Sequence, residues 1–158
     1  MVRKILLVIT CSTAVATMGQ QYTNVMQVLN TPLSTECMNQ ITTDFSTPDR
    51  LFLSFLKSST QGDLPVFLSL FTDACLASEF GVTDKNGFTN EDMADFQRFV
   101  SDNSVTNKTL VAYSCAISGD VATVTARIKL CTASRLIDED IGMSFIQTNE
   151  AWRISQWQ

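Results

Sequence analysis

The hydrophobic pattern of this chain changes its period once, after Asn107, and that change fixes the class of fold. Before Asn107, apolar residues recur every three or four positions, which predicts amphipathic helices. After it, they alternate with other residues, which predicts strands that bury one face. A chain of 158 residues has room for one domain with a single core. The sequence therefore predicts an α+β domain with helices first and an antiparallel sheet second.

Three helices are predicted in the first part of this domain. The first begins after Thr47, a residue that caps helices, and carries Pro48 in its first turn, where a missing N–H costs nothing. Gly62 breaks this helix, and Asp63 can cap the second one. The third begins at Thr89, followed by a further run of apolar residues at helical spacing.

A first hairpin is predicted around the turn Gly119–Asp120. A two-residue loop gives three cross-strand pairs, Ser118–Val121, Cys115–Val124 and Tyr113–Ala126. The inner face of both strands then consists of Val111, Tyr113, Cys115, Ile117, Ala122, Val124, Ala126 and Ile128. The outer face receives Thr123, Thr125, Arg127 and Lys129. Since one register satisfies both strands, the pairing is favoured.

A second hairpin is predicted after a polar connection at about 132–140. Its turn is Asn149–Glu150, and its inner face carries Ile141, Met143, Phe145, Trp152 and Ile154. The acidic run at 138–140 is interpreted as a solvated loop rather than a metal site. With these boundaries, no inward strand position carries Asp or Glu.

The outer face of the predicted sheet is less polar than a fully exposed sheet. Its apolar and neutral members are Leu110, Ala112, Ala116, Val121, Thr123 and Ile146. This face is either a surface for a homodimer or another partner, or a surface covered by the N-terminal arm. We favour association.

Residues 1–19 have the order of a secretory signal peptide. Arg3 and Lys4 precede a mostly apolar stretch, and Ala14-Val15-Ala16 provides a small-x-small cleavage pattern. The stretch is too short to span a bilayer, so no stable membrane span is expected after cleavage. A secreted or periplasmic protein is predicted. A buried N-terminal helix is the alternative, and a lipid anchor on Cys11 is less favoured.

Residues 20–46 are rich in Gln, Asn, Thr and Ser and carry little charge, which predicts a polar linker or arm. The folded domain is therefore assigned to residues 47–158. Four cysteines remain after the leader, namely Cys37, Cys75, Cys115 and Cys131. Disulfides and buried thiols both agree with this count. Cys115 and Cys131 lie on opposite faces of the first hairpin, so a bond between them is not expected.

The composition excludes several classes of function. The chain has no histidine, which removes histidine-based nucleophilic dyads, general bases and zinc sites. A net charge of −5 with scattered cations argues against nucleic acid as a partner. The glycine of Asp84-Lys85-Asn86-Gly87 comes fourth, whereas a calcium loop of the EF-hand type needs it sixth. No metal and no cofactor are predicted.

Residues 48–158 resemble the nuclear transport factor 2-like superfamily, which includes ketosteroid isomerase and SnoaL-like proteins with a cystatin-like fold. The resemblance rests on two helices split by Gly62-Asp63, a third helix, and long strands ending in Asn149-Glu150-Ala151-Trp152-Arg153-Ile154. It implies a cone, in which a strongly curved antiparallel sheet wraps around three helices. The family contains both enzymes and binding domains, so the resemblance does not assign an activity.

The inward aromatic residues are the candidate lining of a pocket for a small apolar ligand: Phe52, Phe55, Phe67, Phe71, Tyr113, Phe145 and Trp152. The alternative is that they only form the core. Tyr113 is the best single candidate, because a buried phenol needs a hydrogen-bond partner. An isomerase-like site would pair it with an inward acid, and the helical acids Asp92 and Asp95 would have to supply one.

Three hypotheses follow from these residues. The first is an exported, non-catalytic domain that binds a small apolar ligand or a protein partner. The second is an enzyme of the isomerase, dehydratase or cyclase kind that uses Tyr and Asp. The third is a structural subunit of an envelope assembly that works through the outer sheet face. We expect the first, with no catalytic residue assigned, because the chain lacks an evident catalytic set.

Overall fold

Helices come first and strands second along the chain, as the change of period predicts. The computed structural model describes residues 21–87, 89–103, 108–131, 134 and 136–158; the predicted leader 1–19 lies outside them. After a 3₁₀ turn at Val25–Gln27, the helices are α1 (Thr35–Asn39), α2 (Pro48–Gln61), α3 (Leu64–Ser69), α4 (Asp73–Phe80) and α5 (Asn90–Asn103). The strands are β1 (Lys108–Ser118), β2 (Val121–Cys131), β3 (Leu136–Thr148) and β4 (Ala151–Trp157).

The strands form one curved antiparallel sheet in the order β1-β2-β3-β4. The helices pack on one face of it, and the core lies between the two layers. The predicted fold class, helices packed on a curved antiparallel sheet, is confirmed. No helix in the described part of the chain is both long and apolar enough to cross a membrane.

The predicted helices α2 and α3 are confirmed together with their boundaries. Thr47 Oγ1 accepts a hydrogen bond from the Arg50 N–H at the start of α2. Gly62 ends α2 with φ of 74°, a left-handed conformation that glycine adopts without strain. Asp63 then caps α3 by accepting from the Val66 N–H. The break between the two helices is therefore encoded locally.

Two helices were not predicted, namely α1 and α4. Helix α4 has clear end signals, since Thr72 accepts from the Cys75 N–H at its start and Gly81 ends it with φ of 67°. Only Cys75 and Leu76 are buried along it, so the apolar period is too weak to reveal it. Helix α5 begins at Asn90, one residue after the predicted Thr89.

The predicted register of the first hairpin is confirmed. Ser118 pairs with Val121, Cys115 with Val124 and Tyr113 with Ala126. The inner positions of β2 are buried and the outer positions exposed, as the alternation predicts. None of the four described cysteines forms a disulfide with another.

Two β-bulges change which side chains face the helices. In β1 the register shifts between Leu110 and Ala112, and this turns Leu110 inward, where it is fully buried. The expectation that Leu110 lies outward is therefore wrong. In β4 the register shifts at Ser155, which brings Trp157 rather than Gln156 to the inner face. A single extra residue inverts the alternation beyond it.

The ends of the sheet depart from the prediction in two further ways. Ile117 was expected inward but is 61% exposed, because the tip of the first hairpin extends beyond the helices. The predicted polar connection is shorter than expected, since β3 already begins at Leu136. The acidic run 138–140 is therefore part of a strand and not a loop, because β2 pairs with it as far as Cys131.

The segment 21–46 packs on the domain despite its polar composition. Its buried members include Val25, Val28, Met38 and Ile41, each 0–1% exposed. It also binds the edge of β1, because the Leu33 N–H donates to the Lys108 carbonyl over 2.8 Å. The few apolar residues of a segment predicted as linker or arm thus join the core of residues 47–158.

Candidate functional site

The seven aromatic residues proposed as a pocket lining lie in one continuous core. Four of them are buried and line none of the cavities defined below: Phe52, Phe71, Phe145 and Trp152. Phe67 lines a cleft between helices, Phe55 lines a chamber under the sheet, and Tyr113 borders a groove. The proposed set is thus distributed over several places and does not form one pocket.

Tyr113 binds an acid, but not one of those expected. Its hydroxyl donates to Asp49 Oδ1 over 2.9 Å, and its ring lies 5.1 Å from that of Phe52. Both partners belong to α2. Burial and the hydrogen bond to Asp49 raise the pKa of Tyr113 far above its usual range, so the phenol stays protonated. The pair joins sheet and helix, and Asp49 lines none of the cavities defined here.

An apolar cleft with a volume of about 200 Å³ lies between α3, α4 and α5. Its lining consists of Leu64, Phe67, Leu68, Phe80, Val82, Asp92, Asp95 and Phe96. Phe80 contacts the rings of Phe67 and Phe71 at 6.0 and 5.4 Å, yet 42% of it is exposed. We call this cavity the cleft.

Two carboxylates stand at the cleft, and both have partners. Asp92 accepts from the backbone N–H and hydroxyl of Thr89 at 2.8 and 2.7 Å, and these bonds lower the pKa of its carboxyl. Asp95 forms an ion pair with Arg98 at 3.1 Å. Asp92 therefore serves in the cap with Thr89, and Asp95 serves in an ion pair on the helix surface. Both carboxylates disfavour the binding of an anion in the cleft.

A second cavity lies between α2 and the sheet, at the end where β1 begins, and we call it the chamber. It measures about 100 Å³ and is lined by Leu33, Phe55, Leu56, Ser59, Thr60, Lys108, Ile128, Glu139, Ile141 and Trp157. Glu139 is the only exposed residue of this lining, so the chamber meets solvent there. Lys108 is only 7% exposed.

The polar groups of the chamber are positioned by the bulge in β1 and by the extension of β3 through the acidic run 138–140. The bulge in β1 places Lys108 on the inner face together with Leu110. Glu139 pairs with Ile128, in the same inward row as Ile141. The expectation that no inward strand position carries an acid is therefore wrong. Strict alternation along the sequence does not reveal either residue, because the bulge in β1 turns Lys108 inward and β3 already begins at Leu136.

The electrostatics of the chamber act on the amine of Lys108. Burial lowers the pKa of Lys108, because the charged form loses hydration, and the negative charge of Glu139 partly opposes this effect. Ser59 donates to the Phe55 carbonyl over 2.8 Å, which leaves its oxygen as an acceptor. The chamber therefore combines a buried amine, an acid and a hydroxyl within apolar walls.

Trp157 connects the cleft and the chamber. It lines the chamber, where it meets Phe55 at 5.0 Å in an edge-on contact. The centroid of its ring system also lies 6.1 Å from the ring centroid of Phe80, which lines the cleft. The indole ring of Trp157 therefore contacts at least one lining residue of each cavity.

A shallow groove of about 520 Å³ crosses the outer face of the sheet. Its outward lining includes Ala112, Ser114 and Thr125, together with the ion pair Arg127–Asp140, whose Nε–Oδ1 distance is 2.7 Å. The described residues contain no group of three or more metal-ligating side chains.

The fold resembles that of solved structures with very different sequences. A SEC-C motif containing protein from Rhodopseudomonas palustris matches with a TM-score of 0.51 and 11% identity, over 78% of this chain and 88% of its own. A protein from Kribbella flavida matches with a TM-score of 0.44 and 13% identity, over 68% and 83%. An NTF2-like protein with a cystatin-like fold from Novosphingobium aromaticivorans matches with a TM-score of 0.39 and 14% identity, over 63% and 70%.

No protein-family model matches the chain, and no curated protein matches it in sequence. At these identities, structural likeness concerns the fold alone. The architecture that the resemblance implies, with helices held against a curved antiparallel sheet, is confirmed. The fold carries no activity with it.

Proposed function

We propose that this protein is an exported, non-catalytic binding domain whose cleft takes up a small apolar ligand. The observation that carries the proposal is Phe80, a ring that is 42% exposed although it contacts the rings of Phe67, Phe71 and Trp157. An exposed large apolar residue at the edge of a concave apolar surface is typical of a binding site. The signal peptide predicted at residues 1–19 supports export.

The size and charge of the cleft define the ligand class. A cavity of about 150 Å³ lined by Leu, Ile and Phe holds benzene. The cleft, at about 200 Å³, therefore suits a single substituted ring or a branched aliphatic molecule of similar size. Because Asp92 and Asp95 stand at its lining, a neutral ligand is favoured over an anion.

The chemistry of the cleft supports binding rather than catalysis. Its two acids already serve the Thr89 cap and the ion pair with Arg98. The acid–phenol pair that an isomerase-like mechanism requires is Tyr113–Asp49, and neither residue lines the cleft. A ligand in the cleft would therefore contact rings and methyl groups, but no base and donor arranged around one reacting atom.

Thermal unfolding with toluene as the probe tests this proposal. A ligand that binds only the folded state stabilises it, by about 2.7 kcal/mol at a concentration 100 times its Kd. Val82→Phe fills the cleft and should abolish the stabilisation, whereas the same substitution at the exposed Val121, on the hairpin tip, should leave it intact. Equal stabilisation of both variants would refute the cleft as the site. Benzoate, an anion of similar size, should have little effect.

Homodimer formation through the sheet is a second candidate function. Two apolar residues at the tip of the first hairpin are strongly exposed, Ile117 at 61% and Val121 at 42%. The neighbouring outer face adds Ala116 and Thr123, whereas Leu110 is excluded from it by burial. Sedimentation velocity over a range of concentrations tests this: Val121→Lys should shift a dimer to monomer, and a wild-type monomer at all concentrations would refute it.

A further inference from the structure

The chamber holds an amine in a setting that differs from that of any ordinary surface lysine. Lys108 is 7% exposed and lines a cavity of about 100 Å³ whose walls are mostly apolar. Its backbone is fixed from two sides, by pairing with Leu130 in the sheet and by the hydrogen bond from the Leu33 N–H. The side chain is therefore held at the chamber by the sheet itself.

A buried amine beside an acid is suited to react with carbonyl groups. Desolvation favours the neutral amine, and the neutral amine is the nucleophile. Glu139 lines the same chamber where it opens to solvent, so its carboxyl group is placed to pass a proton to a bound molecule. A carboxylate ligand would be repelled by Glu139, whereas a neutral carbonyl compound would not.

We infer that Lys108 is a covalent binding site for small aldehydes or ketones, which condense reversibly with its amine to give an imine. The amine lone pair forms the C–N bond, and the carbonyl oxygen takes a proton to become the hydroxyl of a carbinolamine. Loss of the N–H proton and departure of that hydroxyl as water then leave the C=N bond. Glu139 carries the proton from nitrogen to the leaving oxygen, so the net change is amine plus carbonyl to imine plus water.

The volume of the chamber limits the size of the carbonyl compound. Benzene, with six heavy atoms, occupies a cavity of about 150 Å³. The chamber therefore admits a compound of about four heavy atoms, such as propanal. This site is separate from the cleft, and its ligand is distinguished from the cleft ligand by the covalent bond.

Reductive trapping tests the inference. The full chain is incubated with propanal and borohydride, and the propylated lysines are located by peptide mapping. Lys108 should be labelled ahead of the exposed Lys129, because burial lowers the pKa of Lys108 and so raises the fraction of its amine that is neutral. When the chain is unfolded in urea, Lys108 and Lys129 should be labelled to the same extent. Preferential labelling of Lys129 in the folded chain, or no difference between folded and unfolded chain, would overturn the inference.

Variants separate the chamber from general amine reactivity. Lys108→Met should remove the preferred adduct, while Lys129→Arg should leave it unchanged. Glu139→Gln keeps the amine and should slow trapping, which tests the site without removing Lys108.

Naphthaldehyde is larger than the chamber and should label only exposed lysines. Labelling of Lys108 by naphthaldehyde in the folded chain would contradict the size limit. Val82→Phe should block the cleft and leave Lys108 labelling unchanged, so the two proposals fail independently.

Discussion

Tyr113 on β1 and Asp49 in the first turn of α2 are joined by a hydrogen bond of 2.9 Å, in which the phenol is the donor. The bond connects residues 64 positions apart and fixes the start of α2 against the inner face of the sheet. Because the ring of Phe52 lies against Tyr113, this point combines polar and aromatic contact.

Removal of the Tyr113 hydroxyl should destabilise the domain moderately. A hydrogen bond contributes about 1 kcal/mol net, so Tyr113→Phe should lower the free energy of unfolding by about that amount. Asp49→Asn retains an acceptor oxygen and should cost less. Urea unfolding at neutral pH measures both variants. A Tyr113→Phe variant as stable as the wild type would show that the bond contributes nothing.

The same tyrosine should make the wild type sensitive to alkali. Burial and the bond to Asp49 raise the pKa of Tyr113 above the 10.0 of a free phenol. Its stabilisation is therefore complete below about pH 10 and is lost as the pH rises above that value, where only the unfolded chain ionises. Between about pH 9 and 11, the unfolding free energy of Tyr113→Phe should fall less steeply than that of the wild type. Parallel curves would contradict this assignment.

The acid end of the stability profile should depend on Asp44. Burial by itself raises the pKa of this carboxyl, but hydrogen bonds from Arg50 and Ser46 outweigh it, so the pKa lies below the ordinary 3.8. A lowered pKa gives stability that is present above about pH 4 and is lost as the pH falls through the folded value. Asp44→Asn should reduce this loss in urea unfolding from about pH 5 to 2. An unchanged slope would exclude Asp44 as a source.

The segment 21–46 should contribute to global stability. Met38 is fully buried, whereas Met26, in the same segment, is 61% exposed. Truncation of a buried methionine costs about 2–5 kcal/mol, while an exposed substitution stays within about 0.5 kcal/mol. Met38→Ala should therefore lower the urea midpoint strongly and Met26→Ala should not. Equal effects would show that the segment is not part of the cooperative unit.

The cysteines should differ sharply in their reaction with a thiol reagent. Burial raises the pKa of Cys37, Cys75 and Cys115, which reduces their thiolate fraction at neutral pH, while Cys131 is exposed. Iodoacetamide followed by peptide mapping should modify Cys131 first in the folded chain. Cys131→Ser should remove the fast phase. Fast modification of Cys37 or Cys75 would contradict their burial.

The sequence predicts well those features that depend on local chemistry. The caps at Thr47 and Asp63, the break at Gly62 and the turn at Gly119 each act within a few residues, and the structure confirms them. The register of the first hairpin is also predictable, since a two-residue loop leaves one pairing that buries both apolar faces.

The chamber was not predictable, because it depends on bulges. One extra residue in β1 turns Lys108 and Leu110 inward, and one in β4 does the same for Trp157. No residue type marks these positions in the sequence. The acidic run around Glu139 predicts a loop, because acidic residues are rare in strands, but pairing with β2 overrides that preference. A polar residue at the end of an apolar strand, such as Lys108, is the one signal that was available.

Methyl NMR during a toluene titration tests the proposed function most directly. Selective labelling of leucine and valine gives probes inside the cleft, at Leu64, Leu68 and Val82, and on the hairpin tip at Val121. A small apolar ligand in the cleft predicts saturable shifts of the first three signals and none at Val121. Absence of saturable shifts at the cleft, or equal shifts at Val121, would contradict the account.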